Sequence, residues 1–417
     1  MKYALKNAFI YKNNNFEKAS VIIDGNNILP LSDETDIISY NCDGLYIFPG
    51  FVDVHVHLRE PGFSYKETVE TGTSAAVSAG YTKLCTMPNL NPVPDSFENL
   101  KLQLDLIEKN AKCKVVPFGS ITVGEKGEFL SDFEAMSDYV AGFSDDGKGV
   151  QSNELSELSM LKAKELGKII SAHCEDNSLL NGGVIHKGEF AHINGIDGIC
   201  SESEFLPIER DIKLAKKTGA SYHVCHISTK ESVDLIRKAK ADGVNITCET
   251  APHYLVLNDM MLKDEGRFKM NPPIRSEEDR LALIEGIIDG TIDMIATDHA
   301  PHSAEEKSKG LRGSLMGVVG LETAFPVLYT ELVKKDIISL EKLVELMSIN
   351  PKNRFFPNDS GVDLCVYDLD CNYSVQPENF VTMGRSTPFE GTAVFGKCKM
   401  TICDGKIVFN DLCEVTL

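Results

Sequence analysis

The chain has 417 residues, with 42 Lys+Arg against 62 Asp+Glu and a formal net charge of −20. Hydrophobic residues make up 42% and charged residues 25%, an ordinary globular balance that excludes a disordered tail protein. The acidic total speaks against nucleic acid or an anionic membrane as partner, and no apolar run approaches the roughly 18 residues of a transmembrane helix.

Residues 1–46 open without the apolar stretch of a signal peptide, so a cytoplasmic location is expected. The same segment carries short alternating runs and the turn pairs Asp24-Gly25 and Asp43-Gly44, which are hairpin-like signals. Asn13-Asn14-Asn15 reads as a short polar turn. Eight strand-like segments then follow, at 47–58, 82–89, 113–123, 140–145, 168–175, 221–228, 245–255 and 291–300. Helix-like segments at 67–79, 97–110, 154–166, 230–241 and 277–288 lie between them. Ser131-x-x-Glu134 and Ser201-x-x-Glu204 have the spacing of capping boxes. Eight βα units in succession predict an α/β fold, a (β/α)8 TIM-type barrel. An open doubly wound sheet is the alternative, but no glycine-rich phosphate loop follows the first strand. Residues 350–361 read as a boundary loop, and 362–417 return to hairpin-like signals with Asp404-Gly405. The expected organisation is a small β domain from residues 1–46 and 356–417 beside a barrel of residues 47–355. Twelve cysteines without a CxxC pair read as buried free thiols rather than staples.

The chemistry gathers at the expected strand ends. His55 and His57 are two apart on the first strand, so both imidazoles can reach one metal, with Asp53 on the same face as a supporting partner. An HxH pair alone is a weak motif. It gains weight because the fourth strand ends in Asp145-Asp146, the fifth in His173, the sixth in His226 and the eighth in Asp298-His299. A barrel brings these ends to one mouth, and neutral imidazoles with carboxylates suit zinc. Taken alone, Asn89 and Asn271 beside prolines would be turn residues, and His302 an exposed loop histidine. His186, His192, His223, His253 and His299 read as structural or solvated.

Several segments together carry a family resemblance: Gly50 to Gly62 (GFVDVHVHLREPG), Met87-Pro88-Asn89, Ala172 to Asp176 (AHCED), Cys225 to Thr229 (CHIST), Lys269 to Pro273 (KMNPP) and Ala296 to His302 (ATDHAPH). Over nearly its full length the chain resembles the amidohydrolase superfamily, and within it the dihydroorotases. That resemblance implies a zinc-dependent, reversible cyclisation of N-carbamoyl-L-aspartate to L-dihydroorotate in pyrimidine biosynthesis. It implies two zinc ions per subunit. His55, His57 and Asp298 would hold one, and His173 and His226 the other. A carboxylated lysine bridges the metals in many members. No lysine stands at the matching strand end here, and a subgroup uses an aspartate instead. Asp146 is chosen over Asp145 for that bridge, with a carboxylated Lys148 left open. Asp298 would be the catalytic base, and His57, Arg59, Asn89, Asn271, His302, Met316 and Gly317 would contact the substrate. Arg59 is the residue to grip a carboxylate. The loop from His302 to Gly313 is a candidate lid.

A homodimer is expected, and an association with aspartate carbamoyltransferase is left open. Two rivals stand beside this reading. One is another cyclic amidase, an allantoinase or hydantoinase, against which Arg59, Asn89 and the aspartate in place of lysine speak. The other is a non-catalytic homologue acting as a scaffold, which loss of the ligand residues would mark.

Overall fold

The computed structural model describes residues 2–31 and 37–415. Eight parallel strands form a barrel in chain order: Phe51–Val56, Tyr81–Thr86, Lys114–Pro117 continued by Gly119–Ser120, Gly142–Ser144, Ile169–Ala172, Ser221–Val224, Ile246–Thr250 and Met294–Ile295. The third strand changes partner at Phe118. Lys114–Pro117 pairs with the second strand, and Gly119–Ser120 with the fourth. The barrel closes between its first and last strands, where Val56 bridges to His299 and His57 N–H donates to the His299 carbonyl at 2.8 Å. Asp53 adds a side-chain tie across the same seam: its carboxylate accepts from the Thr297 hydroxyl at 2.6 Å and from the Thr297 N–H at 3.2 Å.

The (β/α)8 reading therefore holds. Helices Val69–Ser78, Phe97–Asn110, Asn153–Glu165, Lys230–Ala241 and Glu277–Asp289 fall where they are expected. Neither expected capping box forms. Asp132 rather than Ser131 caps the helix at Phe133–Met136. At Ser201 the backbone is already helical, and the side chain makes no capping bond. Glu204 turns inward instead, where it accepts from Ser228, Thr229 and Ser232. Boxes form at Thr68/Thr71, Ser276/Asp279 and Ser303/Glu306, where the N-cap residue is extended, as the motif requires. The segment expected as one strand over 245–255 ends at Thr250, and a helix begins at Pro252 with the proline in its first turn.

The termini share one nine-stranded sheet, with Tyr46–Pro49 and Lys2–Lys12 near its centre, Leu364–Ser374, Ala393–Cys403 and Lys406–Asn410 toward one edge, and Asn15–Asp24 and Asn27–Pro30 toward the other. Asn13 and Asn14 both take positive φ in the first hairpin, and Asp404 and Gly405 do so in the last, the backbone that tight hairpin turns need. Asp43-Gly44 does not make a hairpin. The strands on either side of it, Ile38–Asn41 and Tyr46–Pro49, both run parallel to Lys2–Lys12, one beyond the other. The pair marks a jog opposite an irregularity in that strand between Leu5 and Ala8.

The segment expected as one strand over 47–58 is two. Tyr46–Pro49 belongs to the terminal sheet, and Phe51–Val56 starts the barrel. The break falls at Gly50, where a Cβ would lie 2.3 Å from the Thr82 side chain. Phe48 and Phe51, on either side of it, pack with Phe325 and Tyr367 at centroid distances of 4.3–6.0 Å. This aromatic seam holds barrel and sheet together. All twelve cysteines are free thiols, and nine are buried.

Candidate metal centre

The barrel mouth gathers four histidines from three strand ends around one carboxylate from a fourth. Asp146 Oδ1 lies 3.3 Å from His55 Nε2, 3.7 Å from His173 Nδ1 and 3.7 Å from His226 Nε2, and Asp146 Oδ2 lies 3.5 Å from His57 Nε2. Asp298 Oδ1 approaches His57 Nε2 at 3.2 Å and His55 Nε2 at 3.6 Å. The sets His55/His57/Asp146 and Asp146/His173/His226 each bring three ligand atoms within 4.8 Å of one another, and every residue in them is buried. Their strands are short and the mouth sits at their C-terminal ends, so all but His55, which is still within its strand, are carried by the first residues of the loop that follows. Arg59, His226 and Asp298 take positive φ, a conformation that non-glycine residues hold only when their surroundings enforce it.

The donor chemistry fits a metal. His55 Nε2 and Asp146 Oδ1 are buried without a protein hydrogen-bond partner, and buried polar atoms left in that state are costly. His55 Nδ1 is 2.8 Å from Glu249 Oε1, which places the imidazole proton on Nδ1 and turns the Nε2 lone pair toward Asp146. Burial pushes the Glu249 carboxyl up, but its bonds to His223 and His55 outweigh this and hold it at about 2.

The neighbouring Asp145 does different work. It accepts from Ile121 N–H at 2.8 Å and Thr122 N–H at 3.0 Å, and from the Thr122 hydroxyl, so it fixes the loop after the third strand. Lys148 is exposed and outside the pocket.

A pocket of about 220 Å³ opens onto this centre, lined by His57, Arg59, Asn89, Asp146, His173, His226, Asn271, Asp298, His302, Met316 and Gly317 among others. Every residue proposed for substrate contact thus reaches the same cavity. Arg59 is 8% exposed. Its Nε donates to the Pro301 carbonyl at 3.2 Å, and among the described residues no carboxylate pairs with its guanidinium. Burial lowers its pKa to about 10, so it stays charged at neutral pH. Asn89 Oδ1 meets His57 Nδ1 at 2.8 Å, and its amide nitrogen is 3.4 Å from Asp146 Oδ2. His302 has both ring nitrogens engaged, Nε2 donating to the Met316 carbonyl at 2.7 Å and Nδ1 accepting from Lys66 at 3.2 Å. Gly317 has φ +130°, and a Cβ there would lie 2.7 Å from the Ala300 carbonyl oxygen, so the position requires glycine. The 302–313 segment forms two short helices, and Glu306 accepts from Tyr65 and Lys66 at 3.0 Å each.

Asp53 is not placed to steady an imidazole. It accepts from the His55 backbone N–H at 3.1 Å and otherwise serves Thr297. Three supporting carboxylates escape sequence reasoning: Glu249, Glu175 and Glu67. Glu249 had a signal, since an acid inside the buried run Ile246–Thr250 needs donors waiting for it. Glu67 had none. It accepts from Thr71 and Thr382, and its Oε2 lies 3.5 Å from His299 Nε2; Thr382 comes from the far end of the chain. Of the five histidines without an assigned role, His223 pairs with Glu249 at 3.0 Å and His299 with Glu67, His253 and His186 are buried, and His192 is exposed.

A closed (β/α)8 barrel with four imidazoles and two aspartates at its C-terminal mouth, joined to a sheet made by both termini, defines a hydrolase of the amidohydrolase class with a site suited to a metal ion. Solved structures share the fold: the L-hydantoinase (dihydropyrimidinase) from Arthrobacter aurescens superposes with a TM-score of 0.87 at 23% identity, covering 98% of this chain and 96% of that one. The D-hydantoinase (dihydropyrimidinase) from Thermus sp. gives 0.83 at 24%, covering 98% and 95%. Residues 44–232 match the family model described as dihydro-orotase-like. A dihydroorotase from Fusobacterium nucleatum subsp. nucleatum is 48% identical over 99% of this chain and 100% of its own length. Dihydroorotases from Staphylococcus epidermidis and Listeria monocytogenes are each 44% identical over 98% of this chain and 99% of theirs. The chain belongs to the dihydroorotase family.

Proposed function

We propose that this mouth carries out the dihydroorotase reaction, the reversible cyclisation of N-carbamoyl-L-aspartate to L-dihydroorotate and water in pyrimidine biosynthesis. The observation that carries this reading beyond family membership is Arg59. A buried guanidinium with no carboxylate partner among the described residues, opening onto a pocket beside four imidazoles, calls for a small anionic ligand. Both reactants carry a carboxylate beside a ureide group, and Arg59 supplies the bidentate fork for it.

In this reading His55, His57, Asp146, His173, His226 and Asp298 would hold two zinc ions. Zinc bound there would lower the pKa of a water to ~7 and polarise the scissile carbonyl. The protein's own groups do the rest. Arg59 anchors the carboxylate, with Asn89, Asn271, His302 and the Met316–Gly317 backbone around the ring. In the hydrolytic direction Asp298 takes the proton of the attacking water at Oδ1 and delivers it to the ring nitrogen as the amide C–N bond breaks. In the biosynthetic direction the same oxygen removes a proton from the ureido nitrogen as it attacks the carboxylate carbon, and water leaves. Closure converts a dianion to a monoanion and consumes one proton, so acid favours dihydroorotate and alkali the open chain.

Side-by-side assays with dihydroorotate, allantoin and hydantoin, together with metal analysis of the active protein, test this. Turnover of dihydroorotate with about two zinc per chain is the expected result; turnover of hydantoin or allantoin alone would overturn it. The same reading takes residues 1–46 and 356–417 as the small domain and 47–355 as the barrel, with the Tyr46–Pro49 strand as the seam between them. It also takes a cytoplasmic homodimer as the working form. Light scattering of the chain alone, and mixed with aspartate carbamoyltransferase, tests the dimer and any association with that enzyme.

A further inference from the structure

Glu175 stands just past the fifth strand, two residues after His173, and is 9% exposed. Its two oxygens face different partners. Oε1 accepts from Asn271 Nδ2 at 2.8 Å, and Oε2 lies 3.6 Å from His173 Nε2. A carboxylate only accepts, so the side of the Asn271 amide that meets it must be the NH2 group. This fixes the amide orientation. Asn271 Oδ1 is then left over, buried and with no hydrogen-bond partner in the protein, on a residue that lines the pocket. A buried carbonyl oxygen in that position needs a donor from whatever fills the cavity. Asn89 is turned the other way: its oxygen is taken by His57, and its NH2 faces Asp146. The two asparagines therefore offer opposite ends of the amide to the pocket.

Resting on the dihydroorotase reading, the geometry points to Glu175 as a positioning residue for substrate recognition: it locks Asn271 as a hydrogen-bond acceptor for an N–H of the ureide. The ureide supplies such a donor in both directions, as a ring N–H of dihydroorotate and as a ureido N–H of the open chain. An amide free to flip would offer donor and acceptor equally and lose that selectivity. The same carboxylate faces a proposed metal ligand, so the recognition amide and the ligand imidazole are registered to one another through one side chain.

The test exchanges the two groups. Asn271→Asp keeps the acceptor but sets a carboxylate against Glu175, and KM for dihydroorotate should rise at least tenfold. Adding Glu175→Gln restores an NH2-to-carboxylate bond of reversed polarity while the second oxygen of residue 271 still accepts, so the double variant should return to within about threefold of the wild-type KM. Asn271→Leu, which neither donates nor accepts, should raise KM similarly and gain nothing from Glu175→Gln. All are measured at saturating zinc, with zinc content determined for each protein, so that an effect through His173 appears as lost metal. A double variant with KM as high as Asn271→Asp, or equal recovery in the Leu background, overturns the inference. A wild-type protein that does not turn over dihydroorotate overturns the function itself, before any variant is made.

Discussion

Arg59 shows what a single residue contributes at this site. Its backbone is held at φ +61°, its Nε is tied to the Pro301 carbonyl, and its remaining donors are available to the pocket. Truncating a buried hydrogen-bonded charge costs on the order of 2–5 kcal/mol, so Arg59→Ala should raise KM for dihydroorotate by about thirtyfold or more, with a smaller change in kcat. An unchanged KM in steady-state kinetics would remove Arg59 from the substrate's carboxylate. Asp298 makes the complementary case. Burial raises its carboxyl, but the His57 hydrogen bond and the charges of His55 and His226 hold it below the ordinary carboxylate range, so it is ionised and able to accept a proton. Asp298→Asn keeps the shape and removes the base. Turnover should fall by at least about 10²–10⁴-fold, the usual share of a positioned proton acceptor, while most of the metal stays bound. Near-normal turnover with full metal would refute the assignment.

At the scale of elements, the barrel depends on how its first and last strands meet. The last strand is only Met294–Ile295, and the closure is carried by the His57–His299 backbone bond and by Asp53 with Thr297. Asp53 is wholly buried, and burial drives its carboxyl up to about 7 in spite of the Thr297 bonds. Thr297→Val keeps the shape and removes one donor. The expected loss is roughly 1–3 kcal/mol, read as a lower midpoint in chemical denaturation, with kcat/KM reduced because His57 and Asp298 flank the seam. A variant with wild-type midpoint would show that the tie is dispensable.

The eight strands and their helices were legible because each is an apolar run bounded by turn chemistry, and because the His and Asp residues fall at strand ends. Two kinds of detail were not. The break at Gly50 is hidden because apolar residues flank it on both sides, and only the close approach of Thr82 demands the glycine. The supporting carboxylates were hidden because their partners are far along the chain: Glu67 meets Thr382, and Glu175 meets Asn271. Glu204 was misread for the same reason. A local capping pattern lost to the donors of residues 228–232, which lie more than twenty positions away.

For the whole molecule, the net charge of −20 describes the solvated exterior. Charges beyond a Debye length of roughly 8 Å are largely screened at physiological salt, while Arg59 sets a positive charge at the mouth to which metal ions held there would add. Barrel and terminal sheet are joined by the Phe48–Phe51–Phe325–Tyr367 seam and by a buried ion cluster, in which Lys83 of the second barrel strand meets Asp363 and lies 3.2 Å from Asp359. Burial raises the Asp359 carboxyl, but Lys114 and Lys83 outweigh it and hold it at about 2. A carboxyl depressed on folding stabilises above its unfolded pKa of about 3.9 and loses that contribution as pH falls through the folded value. The unfolding midpoint should therefore drop between pH 4 and pH 2, and Asp359→Asn should flatten that drop. Identical pH profiles for the two proteins would exclude Asp359 as the acid-sensitive joint.

Tyr46–Pro49 lies between Lys2–Lys12 and Leu364–Ser374, with Cys365 opposite Phe48. One of its neighbours is therefore synthesised at the start of the chain and the other more than three hundred residues later. Until the ribosome delivers the second, this strand presents an open edge, while the barrel between them is already free to form. Such distant pairings close late, so the terminal sheet is the last part of the molecule to be completed during synthesis. Pulse-labelled hydrogen exchange during refolding should protect the amides of residues 246–250 before those of residues 364–367.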